Sequence, residues 1–520
     1  MRAGAEGEPR ATRSWAARID TAELDRTAAK ETGGRYMATT SQSGSKVSAP
    51  TESQGLMANQ LEVHHIDVIP ASERHGKPRD QIPVWLAANT TVVNFVLGGL
   101  MVVLGLNLFW AIIAVLIGNI LGAVLTGFHA MQGPRLGVPQ MIQSRGQFGF
   151  VGAEFIFLAS ILLDVGYMAA SQALQAKSMN LLVPGVAVTW WIIIVTVPAL
   201  VVAIFGYRWI HQFAKVITLV LVAVIFVVFI QAALYGHGIS PAASGFKLSS
   251  GPVFLAGIAI MFMNMLSWAP YISDYSRYLP EQVSFRSTFW SIFAGLMIST
   301  TLFAALGAWV TAMVPKAATT PLTALAAMSG TWIMCFMWFG QIPGVTMNGY
   351  SGMLASANFG SSVQRMMEGR YRQVVRIAGI LIMFAIGTIL AELGWRTFLH
   401  TFEQFLTVLI FLFVPWSAIN LVDFYLLRHG SYDVRSFFVR KGSYADFMLP
   451  ACIVYLITLG IEFPFMNTTL YVGPISKAMT GVNIDWIVGF VVAGVLYYFA
   501  AKLGRSKEHP LEAGISATTS

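Results

Sequence analysis

Two cysteines in 520 residues, Cys335 and Cys452, both inside apolar stretches, leave no disulfide framework and no Cys/His metal cluster to read. Charge is scarce as well. Asp, Glu, Lys and Arg together make up 11% of the chain against 56% apolar residues, too little polar surface to cover a soluble globule. HExxH, GxSxG and a phosphate-cradling glycine loop are all absent, which argues against a membrane enzyme and against an ATP-driven pump. No repeated filter loop or ring of like charges points to an ion channel. The net charge of +8 would suit nucleic acid, but the basic residues sit in short loops between apolar runs and reflect orientation in a bilayer instead. Neither a nucleic-acid partner nor an obligate protein partner is expected, and no cofactor or bound metal.

What the sequence has in abundance is long apolar runs. A membrane-spanning helix needs about 20 apolar residues, and candidates fall near 82–107, 110–131, 151–179, 186–206, 211–236, 252–275, 287–314, 331–360, 374–391, 397–426, 446–466 and 482–501. The expected fold is an all-α polytopic membrane protein of twelve spans. Residues 1–60 read as a disordered tail, with Met37 an alternative start, 61–81 as a cytoplasmic lead-in, and 502–520 as a cytoplasmic tail. His64, His65 and His75 in the lead-in lack the spaced partners of a metal site. Alternate loops carry Arg135 and Arg145, then Arg208 and Lys215, Arg277 and Arg286, Arg365 to Arg376, and Arg428 to Lys441. The opposite loops carry only scattered cations such as Lys247, Lys316, Arg396 and Lys477. That asymmetry places both termini in the cytoplasm of a plasma (inner) membrane protein.

Several spans are polar where hydrocarbon is least forgiving. Span 6 begins as an apolar helix and then meets Asn264, Ser267, Trp268 and Pro270. Proline removes a backbone donor, and freed carbonyls are tolerated in a membrane only where they are buried in protein or line a cavity. The segment therefore reads either as a packed proline kink or as a binding site. Span 1 repeats the pattern with Asn89, Thr90, Thr91 and Asn94, followed by Gly98, Gly99 and Gly105. Two polar-centred helices five spans apart fit a five-plus-five inverted repeat over 82–236 and 252–426, with discontinuous helices 1 and 6 and the site between them; 446–501 adds two helices. Span 3 holds Asp164 deep in an apolar run, with Tyr167 and Ser171 on the same face. An intramembrane carboxylate whose neutral form is favoured suits a group that takes up and releases a proton, or else it is held by a structural hydrogen bond. Span 8, the counterpart of span 3, has Gln341, Pro343, Thr346, Asn348 and Ser351 at its centre. Glu392, Glu403 and Glu462 read as solvated outer ends, and Asp423 with Arg428 as an exposed terminal pair or else a gate contact.

WLAANTTVVNFVLGG, GPRLGVPQMIQSRGQFGFVGA, SWAPYISDYSRYLP, NGYSGML and LVDFYLLRHGSYD together resemble the purine/cytosine permeases of the nucleobase-cation symporter family over about residues 62–445. The resemblance implies an amino-acid/sodium symporter-type fold and cation-coupled import of a nucleobase or similar heterocycle. It also implies an aromatic side chain stacked on the ring and polar side chains reading its edges. Carried over by position, Trp268 is the stacking residue, Tyr167 an aromatic and Ser171 a polar helix 3 position, Asn348 a substrate-contacting asparagine and Thr91 a polar helix 1 position. Asn89, Asn264 and Ser267 join them from the reading of the breaks. Sodium-coupled members carry a hydroxyl pair in helix 8 facing helix 1 carbonyls. Here only Thr346 lies in that region, with the carbonyls of Ala87 and Thr90 to complete the set, whereas Asp164 is an additional acid. The reading leans to H+ as coupling cation with Na+ the alternative, and to cytosine or a purine as substrate, with allantoin, hydantoin or a thiamine-precursor pyrimidine open.

Overall fold

The computed structural model describes residues 66–505 except 236, 237, 240, 242, 315–319, 360–370 and 469–470. The tail expected over 1–60, His64, His65, Lys316, Arg365, Arg370 and residues 506–520 lie outside the described residues.

Each of the twelve expected spans coincides with helix. Span 1 is two helices, α1a (Gln81–Asn89) and α1b (Val92–Val103), meeting at 59°. Then follow α2 (Leu108–Ala130), α3 (Ala153–Leu182), α4 (Val188–Phe205) and α5 (Tyr207–Leu234). Span 6 is α6a (Gly251–Leu266) and α6b (Ile272–Ser276), joined through a 3-10 turn at Ala269–Tyr271. The second half continues with α7 (Phe285–Met313), α8 (Ile333–Ala357), α9 (Arg372–Gly394) and α10 (Phe398–Leu421), the last running into a π-helical turn at Val422–Leu427. α11 (Leu449–Glu462) and α12 (Asp485–Arg505) complete the set. Among the described residues, eight helices are long and apolar enough to cross a membrane alone, and the bent α1 pair makes a ninth. α8 is interrupted by the polar residues that make it interesting and stays helical through Pro343. α11 is short, 14 residues before a 3-10 turn.

The packing carries the signature of an inverted repeat. α3 lies along α8, α2 along α6a, and α7 along α1b; exchanging helices 1–5 with 6–10 maps the first pairing onto itself and the other two onto each other. The α1b–α7 contact is backbone to backbone. A Cβ on Gly98 would strike the carbonyl of Ala304, and one on Gly307 the carbonyl of Phe95, so each helix supplies a glycine where the other presents main chain. The segment Pro321–Ser329, between α7 and α8, is a short helix, as its interrupted sequence suggests.

The face carrying the Lys- and Arg-rich loops, called the inner face below, departs from expectation. From its sequence the segment 129–149 is too polar to span and reads as a cytoplasmic loop. It folds instead into short helices (Gln132–Leu136, Gln140–Gln143 and Arg145–Phe148) whose polar side chains Gln132, Gln140, Gln143, Arg145 and Gln147 are buried. Arg145 donates to the carbonyls of Phe437 (2.6 Å) and Asn358 (2.8 Å), and Arg376 donates to that of Ile204 (2.6 Å). These cations clip helix ends together as well as marking a face. The Asp423–Arg428 pair forms at 3.0 Å but is no exposed terminal pair: Asp423 is fully buried and also accepts from Tyr432 (2.6 Å) and Tyr497 (2.9 Å). Glu462, expected in solvent, is fully buried against Gly489 of α12.

Candidate functional site

A broken helix inside a membrane leaves backbone groups without partners, and the polar residues of α1 and α6 answer that need first. Thr91 caps α1b by accepting from Asn94 N (3.4 Å), Asn94 Nδ2 donates to the carbonyl of Asn89 (2.6 Å), and Asn89 Nδ2 donates to that of Trp85 (2.9 Å). Thr300 of α7 donates to Asn89 Oδ1 (3.1 Å). In α6, Ser267 Oγ donates to the carbonyl of Asn264 (2.8 Å), and Asn264 Nδ2 reaches across to Asn94 Oδ1 (2.8 Å), tying one break to the other.

Beside the joined breaks lies a cleft closed by α3 and α8. All eight residues expected to read the substrate line it: Asn89 and Thr91 from α1, Tyr167 and Ser171 from α3, Asn264, Ser267 and Trp268 from α6, and Asn348 from α8. Asn94, Tyr271 and Gln341 line it too. Tyr271 was hidden in sequence because an aromatic residue in an apolar stretch looks like packing; its place immediately after Pro270 in an interrupted helix was the available signal. Tyr271 Oη donates to Asn348 Oδ1 (2.9 Å), so the free end of the Asn348 amide is its NH2. Gln341 Nε2 donates to Ser171 Oγ (2.7 Å), and its Oε1 has no partner. Trp268 is held edge-on by Trp85 and Tyr271, both with ring centroids at 5.5 Å, and Tyr167 by Phe402 (5.6 Å) and Phe405 (5.7 Å). No charged side chain lines the cleft, whose open space of ≈ 20 Å³ holds about one water.

The four residues expected to handle the coupling cation stand outside this lining. Asp164, one turn along α3 from Tyr167, is fully buried beside Gly352 of α8, with the Ser160 hydroxyl facing its carboxyl. The hydroxyl of Ser351 has no partner, while that of Tyr167 faces Ser267. Ala87 and Thr90 sit at the α1 break, where Thr90 Oγ1 donates to the carbonyl of Leu86 (2.6 Å). Thr346 turns the other way, its hydroxyl donating to the carbonyls of Ala199 in α4 (3.2 Å) and Ile342 (2.8 Å), so the structure does not bring it to the break.

At the inner end of the site the helices are bonded to one another. His129 stacks on Trp416 (4.8 Å, 7°) and bonds Ser417 (2.8 Å), Gln132 donates to Asn420 (2.6 Å), and the backbone N–H of Gln140 donates to Asp274 of α6b (2.9 Å). Among the described residues, no group of three or more His, Cys, Asp or Glu side chains is arranged to hold a metal ion.

Comparison with known proteins gives the family and the fold. Residues 68–489 match the family model described as permease for cytosine/purines, uracil, thiamine, allantoin. The chain is 33% identical over 449 residues to a putative purine-cytosine permease, YxlA, of Bacillus subtilis, covering 85% of this chain and 96% of the relative. It is 27% identical to the purine-cytosine permease fcyB of Emericella nidulans, covering 84% and 87%. Among solved structures it is similar, at TM-score 0.69 and 18% identity over 86% of this chain and 96% of the other, to Mhp1, a nucleobase-cation-symport-1 family transporter, in a closed conformation with bromovinylhydantoin bound. That likeness shows the fold.

Proposed function

The chain belongs to the family of permeases for cytosine/purines, uracil, thiamine and allantoin, a family of transporters and not of enzymes, and from that premise we propose that it imports a cytosine- or purine-like nitrogen heterocycle across the plasma (inner) membrane by cation-coupled alternating access. Both termini lie on the cytoplasmic side in this reading, following the Lys and Arg bias of the loops.

The observation that carries it is the cleft, where both broken helices and their partners α3 and α8 contribute side chains to one small space. A flat ring rich in donors and acceptors meets two aromatic residues there, Trp268 and Tyr167. It also meets an amide NH2 from Asn348 and an unpartnered carbonyl oxygen from Gln341. Stacking contributes about 0.5–1.5 kcal/mol beyond burial, and a ring with the wrong edge leaves those buried groups unpaired. The absence of charge in the lining favours an uncharged ring. At ≈ 20 Å³ the cleft must widen to admit one, and the bonds Tyr271–Asn348 and Gln341–Ser171 bridge α6 to α8 and α8 to α3 across it. A ring that engages Asn348 and Gln341 competes for those bridges, which links its arrival to helix movement.

The coupling cation in this reading is a proton carried by Asp164, a fully buried carboxyl one turn from the cleft. Sodium at the carbonyls of Ala87 and Thr90 is the second reading, and the engagement of Thr346 by α4 deprives it of a ligand. Uptake of radiolabelled cytosine, adenine, hypoxanthine, uracil and allantoin, with and without sodium and at two pH values, tests both. Saturable, sodium-independent uptake of one ring that rises at acid pH is expected. Absence of uptake of every ring by well-inserted protein overturns the substrate class, and strict sodium dependence overturns the proton.

A further inference from the structure

A second cavity of ≈ 190 Å³ opens on the outer side of the cleft, bounded by α1b, α3, α4, the short helix Pro321–Ser329 and the turn after α9. It lies about one helical turn outward of the cleft. Val96 follows the cleft residue Val93 by three positions on α1b, and Leu174 follows Ser171 by three on α3, a displacement of about one helical turn. Its walls are largely apolar, with Val96, Leu174, Leu181, Val188 and Leu322 among them, and its polar groups are unequal. The Thr320 and Thr323 hydroxyls are consumed by each other and by backbone in a capping box, and Asn180 Nδ2 is given to the carbonyl of Val186 (2.8 Å). Two donors remain uncommitted beside the Asn180 amide oxygen. Among the described residues Lys177, half-buried, has no hydrogen-bond or ion-pair partner, and Trp395 Nε1 is buried without an acceptor. Arg396 adds a second cation over the Trp395 ring (4.6 Å). Among the described residues no carboxylate lines the cavity; the neighbouring Glu392 accepts from Thr189 Oγ1 (2.9 Å) at Oε1, while its Oε2 is buried without a partner.

An ammonium and an indole N–H in an apolar slot want an anionic acceptor on a flat body. The volume falls below the ~300 Å³ of drug-sized pockets, which suits one small ring. We propose that this outer cavity is a binding site for a small anionic oxo-heterocycle, such as a pyrimidine carboxylate, held by Lys177 and Trp395, where it blocks the path to the uncharged cleft. This rests on the reading of the cleft as the substrate site.

The test uses purified full-length protein with radiolabelled orotate, a pyrimidine carboxylate, and with a neutral nucleobase that the uptake panel shows to be carried, each measured on wild type, Trp268→Ala, Lys177→Gln and Lys177→Arg. Monodispersity and thermal unfolding confirm that each variant is folded. Orotate binding is expected to survive Trp268→Ala, to weaken about tenfold in Lys177→Gln through loss of a charge-assisted bond, and to return in Lys177→Arg. In uptake, orotate is expected to inhibit entry of the neutral base, and less so in Lys177→Gln. No orotate binding to wild type, binding lost in Trp268→Ala, or binding unchanged in Lys177→Gln overturns the proposal. Failure of the cleft reading registers separately, as neutral-base binding that is indifferent to Trp268→Ala.

Discussion

Replacing Tyr271 by phenylalanine removes one oxygen and nothing else from the cleft, so its effect isolates what that hydroxyl does. The oxygen donates to Asn348 Oδ1 at 2.9 Å, and both residues are nearly buried, at 2% and 3% exposure. A buried acceptor left without its donor costs about 1–3 kcal/mol, a cost the Asn348 amide avoids by turning. Turning points its NH2 away from the position in which it would meet a ring, and restoring that position has to be done at the expense of substrate binding. A loss of about 1.4 kcal/mol is a tenfold weaker affinity. KM for the transported ring is therefore expected to rise about tenfold in Tyr271→Phe, with maximal uptake rate little changed because the variant still fills the same volume. The assay is concentration-dependent uptake by wild type, Tyr271→Phe, Asn348→Ala and the double variant. Once Asn348 is gone the hydroxyl has nothing to orient, so the double variant should be barely worse than Asn348→Ala, giving a coupling of about 1 kcal/mol or more. Additivity within about 0.5 kcal/mol, the scatter of independent sites, refutes the idea that Tyr271 positions Asn348.

Three further outcomes follow from the same geometry. Trp268→Ala should abolish uptake while Trp268→Phe retains part of it, since phenylalanine keeps a stacking face; equal uptake by wild type and the alanine variant removes Trp268 from the site. Asp164→Asn should eliminate the pH dependence of uptake yet spare exchange of internal for external substrate, because exchange needs no net proton movement; an unchanged pH profile sinks the carboxyl as proton carrier. Gly307→Val should sharply lower the amount and thermal stability of folded protein, because its side chain meets the Phe95 carbonyl across the α1b–α7 contact and overpacking a close contact costs about 1–3 kcal/mol or more. Wild-type stability by fluorescence-detected unfolding would show that the contact gives way easily.

The breaks in α1 and α6 were legible because hydrocarbon makes polar residues and proline costly, so Asn89, Thr91, Asn264 and Pro270 had to serve either packing between helices or a cavity. The structure sharpens that logic. Much of their hydrogen-bonding capacity goes to carbonyls freed by the breaks and to Asn94, and the groups left for a ligand belong largely to α8, on Asn348 and Gln341. A polar residue at a break thus signals a site while mainly building it. The inner face was illegible for a complementary reason. Its polar segment 129–149 has the composition of a solvated loop, and what buries it is pairing with residues far along the chain: Gln132 with Asn420, 288 positions away, and Arg145 with the carbonyl of Phe437, 292 away. Composition reports how polar a segment is but not whether its partners are water. Asp423 makes the same point in one residue, since a carboxylate and an arginine five positions apart look like a helix end in solvent until Tyr432, Tyr497 and Gln147 close around them. Because removing one member of a buried charged cluster strands the others, the inner face is bound by interactions that must exchange partners together, as a closure alternating with an outer opening requires.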